Sequence, residues 1–221
     1  MHPTLDMYKI RPSLIEYIEN NIIPQYKGFD SAHQESHVND VIQQALELAK
    51  SYDVNNEMIY AAAALHDIGL SIGRDSHHIE SGRIIRNTPQ LKEWFTDNEI
   101  ETIAQAAEDH RASSKSEPRT IYGKIIAEAD RHIEPIIIIQ RTIEFEQTNH
   151  PDIDKDNLFK KMVAHLNEKY GRNGYLKLWI KESKNAEKLE ELRLIIDNPN
   201  ELTEIYNKIY NNLQSSSSKP S

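Results

Sequence analysis

Apolar residues in this chain recur at steps of three and four almost from end to end. Leu14, Ile15, Ile18, Ile22 and Ile23 form one series, with Pro12 near its start. Val38, Val41, Ile42, Ala45, Leu46 and Ala49 form the next. A strand alternates its faces every residue, whereas a helix returns to the same face every 3.6 residues, so this spacing predicts helices nearly throughout and an all-α fold. Residues 55–67 are apolar on most sides of a helix, which predicts a central, buried position. A short helix is expected over 76–87, closing before Pro89, and Asp97 is the expected N-cap of DNEIETIAQAAEDH, with Ile100, Ile103, Ala104 and Ala107 facing inward. A long helix is expected from about 121 to 145, bent at Pro135. The run of four isoleucines at 136–139 suits a buried strand by composition, but its flanks have helical period and favour helix.

The polar stretch TNHPDIDKDN (148–157) reads as a linker. The expected organisation is a helical bundle over 1–148, a helical extension over 154–213 with a turn at KYGRNGY, and a disordered tail over 214–221. The chain has 221 residues, enough to bury a core without covalent staples. It has no cysteine, which excludes disulfides, a thiolate zinc site and a cysteine nucleophile. The start, MHPTLDMYKI, lacks the pattern of a secretory leader, and the longest apolar run, MIYAAAAL, is too short to span a bilayer, so a cytoplasmic protein without membrane attachment is expected. A net charge of −9 opposes binding to an extended phosphate backbone, while a small phosphorylated ligand needs only a locally basic pocket.

Residues 61–70 read AAAALHDIGL, an apolar run that ends in His66 and Asp67. Gly69 is expected to end the helix in the left-handed conformation. An ionised carboxylate at the end of a buried helix costs several kcal/mol unless something compensates it. Neighbouring helical residues point about 100° apart and do not face each other, but both can reach a cation beside the helix. The pair alone favours the plainer reading of a hydrogen-bonded core histidine and a carboxylate satisfied by backbone donors or an arginine. The other histidines extend the case. His33, His37, His66, His77, His78 and His110, six of ten, lie between residues 33 and 110. His37 opens one predicted helix, His77 and His78 another, His110 ends a third, and Asp130 follows an apolar run in IIAEADRHIEP. Helix ends in a bundle can converge side chains on one place, and imidazole with carboxylate suits a divalent transition metal.

The order His37, His66-Asp67, Asp130, with the phrase HDIG, resembles the metal-binding pattern of the HD-domain phosphohydrolase superfamily over about residues 30–145. The resemblance implies a helical bundle around a metal and hydrolysis of phosphate esters or anhydrides. Carried over, His37, His66, Asp67 and Asp130 would ligate a first divalent ion. His78 and His110 occupy positions that in two-metal members hold a second, with Asp67 bridging, and HIESG resembles an element of the HD-GYP phosphodiesterases. The chain departs from relatives at Leu70, where many HDIG proteins have Lys; it has no GYP element and no Glu three residues after Asp67. ADRHIEP is similar to the last-Asp segment of a symmetrical dinucleoside-tetraphosphatase branch. His33 and His77 each adjoin a better candidate, and surface or packing roles are expected for them.

The implied chemistry is attack on phosphorus by water activated at one or two ions (Mn, Fe, Co, Ni, Zn or Mg). Asp67, His78 and His110 are the expected catalytic residues. Arg111 and Arg131 are the expected phosphate-binding residues, since forked guanidinium donors suit phosphate oxygens. Arg119, Lys124 and Arg141 are expected mostly to pair with local acids. Tyr170, Tyr175 or Trp179 could stack on a base, although aromatics at such spacing more often form core. The expected substrate is a small phosphorylated metabolite or nucleotide. The alternatives are a non-catalytic metal- or nucleotide-binding sensor module and a di-iron oxygenase on the same site.

Overall fold

A computed structural model describes residues 5–29, 34–113 and 116–217 of the protein. His2, His33 and the last four residues lie outside them. The all-α expectation holds: every regular element among the described residues is helical. The α-helices are α1 (Pro12–Tyr17), α2 (Glu35–Ala49), α3 (Asn56–Leu65), α4 (His77–Arg86), α5 (Asp97–Asp109), α6 (Ile121–Asp130), α7 (Pro135–Asn149), α8 (Lys155–Lys169), α9 (Asn185–Asp197) and α10 (Pro199–Ser217). Pro12 takes the first position of α1, where its missing N–H costs nothing. The helix continues as a π turn (Ile18–Ile22) and a 3₁₀ turn (Ile23–Gly28).

Three expectations about elements are corrected. Thr96, not Asp97, caps α5: its hydroxyl accepts from the Glu99 N–H while the Glu99 carboxylate accepts from the Thr96 N–H. The long helix over 121–145 is two helices, because proline disfavours helical backbone at the residue before it; Glu134 is extended and Pro135 starts α7. The tail expected to be disordered from 214 is helical through Ser217.

The chain forms two compact units. The first comprises the residues up to Arg131 together with Leu178–Ser183; the second comprises His132–Lys177 and the chain from Lys184 onward. The division therefore lies where α6 ends, not at the polar linker expected at 148–154, which joins α7 to α8 inside the second unit.

In the first unit α3 packs against α2, α5 and α6. Ala61, Ala62, Ala63 and Ala64 are wholly buried, and their small side chains let three helices approach the same segment. Ile59, Leu65, Ile103, Ile125 and Ile126 fill the space between. Burying an aliphatic side chain of that size contributes about 1.5–3 kcal/mol. Leu178–Ser183 adds Ile180 to this core, with Trp179 packed on its margin. In the second unit, Ile139 and Ile143 of α7, Leu158, Met162 and Leu166 of α8, Leu192 of α9 and Tyr206 of α10 are buried. The Tyr206 hydroxyl donates to the Lys155 carbonyl at 2.7 Å.

Candidate metal centre

Five helix ends of the first unit meet at one carboxylate. Asp67 follows α3, His37 lies in the first turn of α2, His77 begins α4, His110 closes α5 and Asp130 ends α6. The two oxygens of Asp67 face different groups. Oδ2 lies 3.2 Å from His66 Nε2 and 3.8 Å from His37 Nε2. Asp130 Oδ1 completes that side, 3.2 Å from His37 Nε2 and 3.7 Å from His66 Nε2. Oδ1 of Asp67 lies 3.3 Å from both His77 Nε2 and His110 Nε2, which are 3.4 Å from each other.

The ring orientations follow from local hydrogen bonds. His66 Nδ1 donates to the Ala63 carbonyl at 2.8 Å, His77 Nδ1 to Arg74 at 2.7 Å and His110 Nδ1 to Ala107 at 2.5 Å. Each acceptor is the carbonyl three residues earlier. A carbonyl can only accept, so each Nδ1 carries the proton and the neutral ring presents a lone pair at Nε2. Two such lone pairs then face each other and one carboxylate oxygen. His66 Nε2 and Asp67 Oδ1 are buried without an aligned hydrogen bond. Leaving a buried polar atom unsatisfied costs about 1–3 kcal/mol.

A cation resolves this arrangement. Donor atoms held about 2.1 Å from an ion lie about 3.0–3.4 Å apart, from octahedral to tetrahedral angles. The separations around Asp67 cluster at that spacing, and the nitrogen–oxygen donor set suits a divalent transition metal. His37, His66 and Asp67 form one group able to hold an ion, and Asp67, His77 and His110 form another.

Where no ion lies between them, protonated imidazoles take a cation's place beside the carboxylates. Burial works to raise the Asp67 pKa, but His66 and His110 outweigh it and hold the carboxyl well below its usual range. Burial likewise opposes ionisation of Asp130, and His37 and His66 hold it low. Burial works to lower the His66 pKa, and Asp67 and Asp130 raise it. His77 is lowered, chiefly by burial. The centre thus keeps its carboxylates ionised, the state in which they bind metal.

The backbone around HDIG is braced from both sides. Tyr26, wholly buried, donates from its hydroxyl to the Ala64 carbonyl at 2.9 Å and accepts from the Asp67 N–H. Gly69 does not take the left-handed conformation expected of it. It lies in a 3₁₀ turn (Ile68–Ser71), and a Cβ there would overlap the His77 and Ser81 backbone. Its N–H donates to Ser81 Oγ at 2.9 Å. The glycine is therefore a point of close approach that brings the start of α4 to Asp67.

That approach corrects one expected ligand. His77, not His78, reaches Asp67. The bond from His77 to Arg74 turns its ring inward, and the next helical residue points about 100° away. His78 Nδ1 is buried without a hydrogen bond, and burial with the nearby Arg111 lowers the imidazole pKa to about 4. Arg111 donates to the Asp75 carbonyl at 2.6 Å. Nε and Nη1 of Arg131 are buried without hydrogen bonds, and burial lowers its pKa against the pull of Glu128 and Asp130. Arg119 pairs with Asp109 and Glu108, and Lys124 with Glu117, as expected for solvated residues. Trp179 belongs to the first unit; Tyr170, Tyr175 and Arg141 belong to the second.

Comparison with known proteins agrees with this geometry. Residues 35–133 match the family model described as the HD domain. The fold is similar to the crystal structure of a predicted HD superfamily hydrolase from an uncultured Thermotogales bacterium, at a TM-score of 0.52 and 24% identity, over 73% of this chain and 89% of that one. No curated protein matches. The matched segment runs from the first turn of α2 to just past Asp130 and so contains every residue of the two candidate metal groups. Through that segment the chain is similar to the HD domain.

Proposed function

We propose that this protein is a metal-dependent phosphohydrolase acting on a small phosphorylated metabolite or nucleotide. The observation that supports this reading most is the Asp67 carboxylate, whose two oxygens each face a separate group of imidazoles. His37, His66, Asp67 and Asp130 would hold one divalent ion, and His77, His110 and the other oxygen of Asp67 a second. A bound divalent ion polarises a phosphoryl oxygen and acidifies water toward neutral pH, which is the chemistry of phosphate hydrolysis. The name of the Thermotogales relative, a predicted HD superfamily hydrolase, is consistent with it.

The chain's own residues supply the rest. Each Nδ1 bond to a carbonyl keeps a ligand histidine in one tautomer and one orientation, so no reorganisation is needed when the site is filled. Arg131 offers donors that are buried without hydrogen bonds and lies within electrostatic reach of Asp130, a place for phosphate charge. Arg111 is fixed by Asp75 beside His77 and His78 and would hold a second oxygen or the leaving group. His78 stays a neutral imidazole at physiological pH and can accept a hydrogen bond or proton from substrate or water. Small substrates fit the charge of −9 better than a nucleic-acid backbone. Among the described residues no helix is long and apolar enough to cross a membrane.

The test is metal content by elemental analysis and phosphate release from monoesters, diesters and dinucleoside polyphosphates with Mn²⁺, Fe²⁺, Co²⁺, Ni²⁺, Zn²⁺ or Mg²⁺, in wild type and Asp67→Ala. Bound metal with turnover that Asp67→Ala abolishes supports the reading. Turnover surviving intact in Asp67→Ala overturns it, as does a protein that binds no metal and cleaves nothing. A nucleotide bound but left uncleaved would instead indicate a sensor, and iron with oxygen uptake would indicate an oxygenase.

A further inference from the structure

One buried carboxylate of the first unit lies beside the candidate metal centre yet belongs to neither metal group. Glu128, in the last turn of α6, is wholly buried. It accepts from the Trp179 N–H at 2.7 Å, from Ser183 Oγ at 2.5 Å and, at greater length, from the Ile180 N–H at 3.4 Å. All three donors lie in the strap Leu178–Ser183, which rejoins the first unit after the chain has passed through His132–Lys177. A second bond holds the strap, from the Tyr52 hydroxyl to Glu182 at 2.5 Å.

The position of this clamp gives it a consequence for metal binding. Asp130 lies two residues beyond Glu128 in the same terminal turn. No glycine caps α6; the turn closes on the Arg131 N–H, which returns to the Glu128 carbonyl. The buried carboxylate holds the turn, since withdrawing it would orphan the buried Ile180 amide and the half-buried Trp179 amide of the strap. The same turn presents Asp130 Oδ1 to His37 and His66. We propose that Glu128 is a positioning residue: by pinning Leu178–Ser183 to the end of α6, it sets the Asp130 carboxylate in the metal group, so strap order and metal affinity are coupled. This rests on the metal-dependent reading above.

Coupling of this kind is reciprocal, so metal must order the strap as much as the strap favours metal. The test is Mn²⁺ and Zn²⁺ affinity by chelator competition for wild type, Glu128→Ala, Glu128→Gln and Ser183→Ala, with amide hydrogen exchange at Trp179 and Ile180. Glu128→Ala is expected to bind metal about 10- to 100-fold more weakly, the effect typical of groups that orient ligands. Glu128→Gln keeps an oxygen for the amides, and Ser183 can turn to accept its N–H, so affinity is expected to be largely restored. Ser183→Ala should fall between, and metal should slow exchange of both amides in wild type. Unchanged affinity in folded Glu128→Ala, or strap amides whose exchange ignores metal, overturns the proposal. If Glu128→Ala does not fold, Ser183→Ala and wild-type exchange decide it. A wild type that binds no metal defeats the functional reading instead.

Discussion

His77 and His78 are adjacent in sequence but differ in what they meet. His77 has its Nδ1 fixed by Arg74 and its Nε2 turned to Asp67; His78 sits beside Arg111 outside both metal groups. Metal content by elemental analysis should therefore separate them. His77→Ala is expected to weaken binding of a second ion by about 10- to 100-fold or more, while His78→Ala keeps the wild-type metal content and loses turnover. Equal metal loss in both variants would contradict this assignment. Tyr26→Phe removes one hydroxyl that serves both Ala64 and Asp67. It leaves those buried backbone groups unpaired, so a loss of about 1–3 kcal/mol in denaturant unfolding is expected. His37, His66, Asp67 and Asp130 were legible because motif order carries them. The choice between His77 and His78 was not, because a one-residue offset depends on where α4 starts and on a carbonyl outside it. Tyr26 and Glu128 left no signal, since their partners are distant in sequence.

At the scale of elements, the candidate centre depends on how closely α4 approaches the turn after α3. Gly69→Ala would push α4 outward by the clash of its Cβ with the His77 and Ser81 backbone. Overpacking of this kind costs about 1–3 kcal/mol, and here it also displaces His77, so thermal stability and second-ion binding should fall together. Ser81, the acceptor of the Gly69 N–H, should give a smaller stability loss when replaced by Ala. On the outer side, Arg86 of α4 pairs with Glu101 and Glu108 of α5. Its hydrogen bond to Arg86 lowers the Glu101 pKa from 4.5 to about 2. A depressed carboxylate stabilises the fold above its unfolded pKa and loses that contribution as pH falls through the folded one. The difference in unfolding stability between wild type and Glu101→Gln should thus be full above pH 4.5 and vanish toward about pH 2. Because Glu101 is substantially exposed, the difference should stay below about 1 kcal/mol. Helical period located most of these elements. The boundaries at 96 and 131–135 were also present as signals, a T-x-x-E box and a pre-proline residue, but local rules rank below a continuous apolar pattern when both are read from one sequence.

The molecule as a whole divides in a way that composition concealed. The polar stretch at 148–157 looks like a domain linker because short loops and linkers share their residue types, whereas the division at Arg131 falls in a connection of only four residues. The return of Leu178–Ser183 to the first unit rests on Glu128 and Tyr52, pairings too distant in sequence for periodicity to reveal. This division can be tested with the chain's own fluorophores. Both tryptophans, Trp94 and Trp179, belong to the first unit, as do both candidate metal groups. Far-ultraviolet circular dichroism, in contrast, reports α7 to α10 of the second unit as well. An ion that binds only the folded first unit stabilises it by about 2.7 kcal/mol at a free concentration one hundred times Kd. In denaturant unfolding, metal should then shift the fluorescence transition to higher denaturant. The dichroism trace should split, one part following fluorescence and the other staying where the chelator-treated protein places it. Each unit buries its own core, and both candidate metal groups lie in the first. A single transition that shifts equally by both probes would show instead that the two units unfold as one, and that stabilisation by the ion is shared through the whole chain.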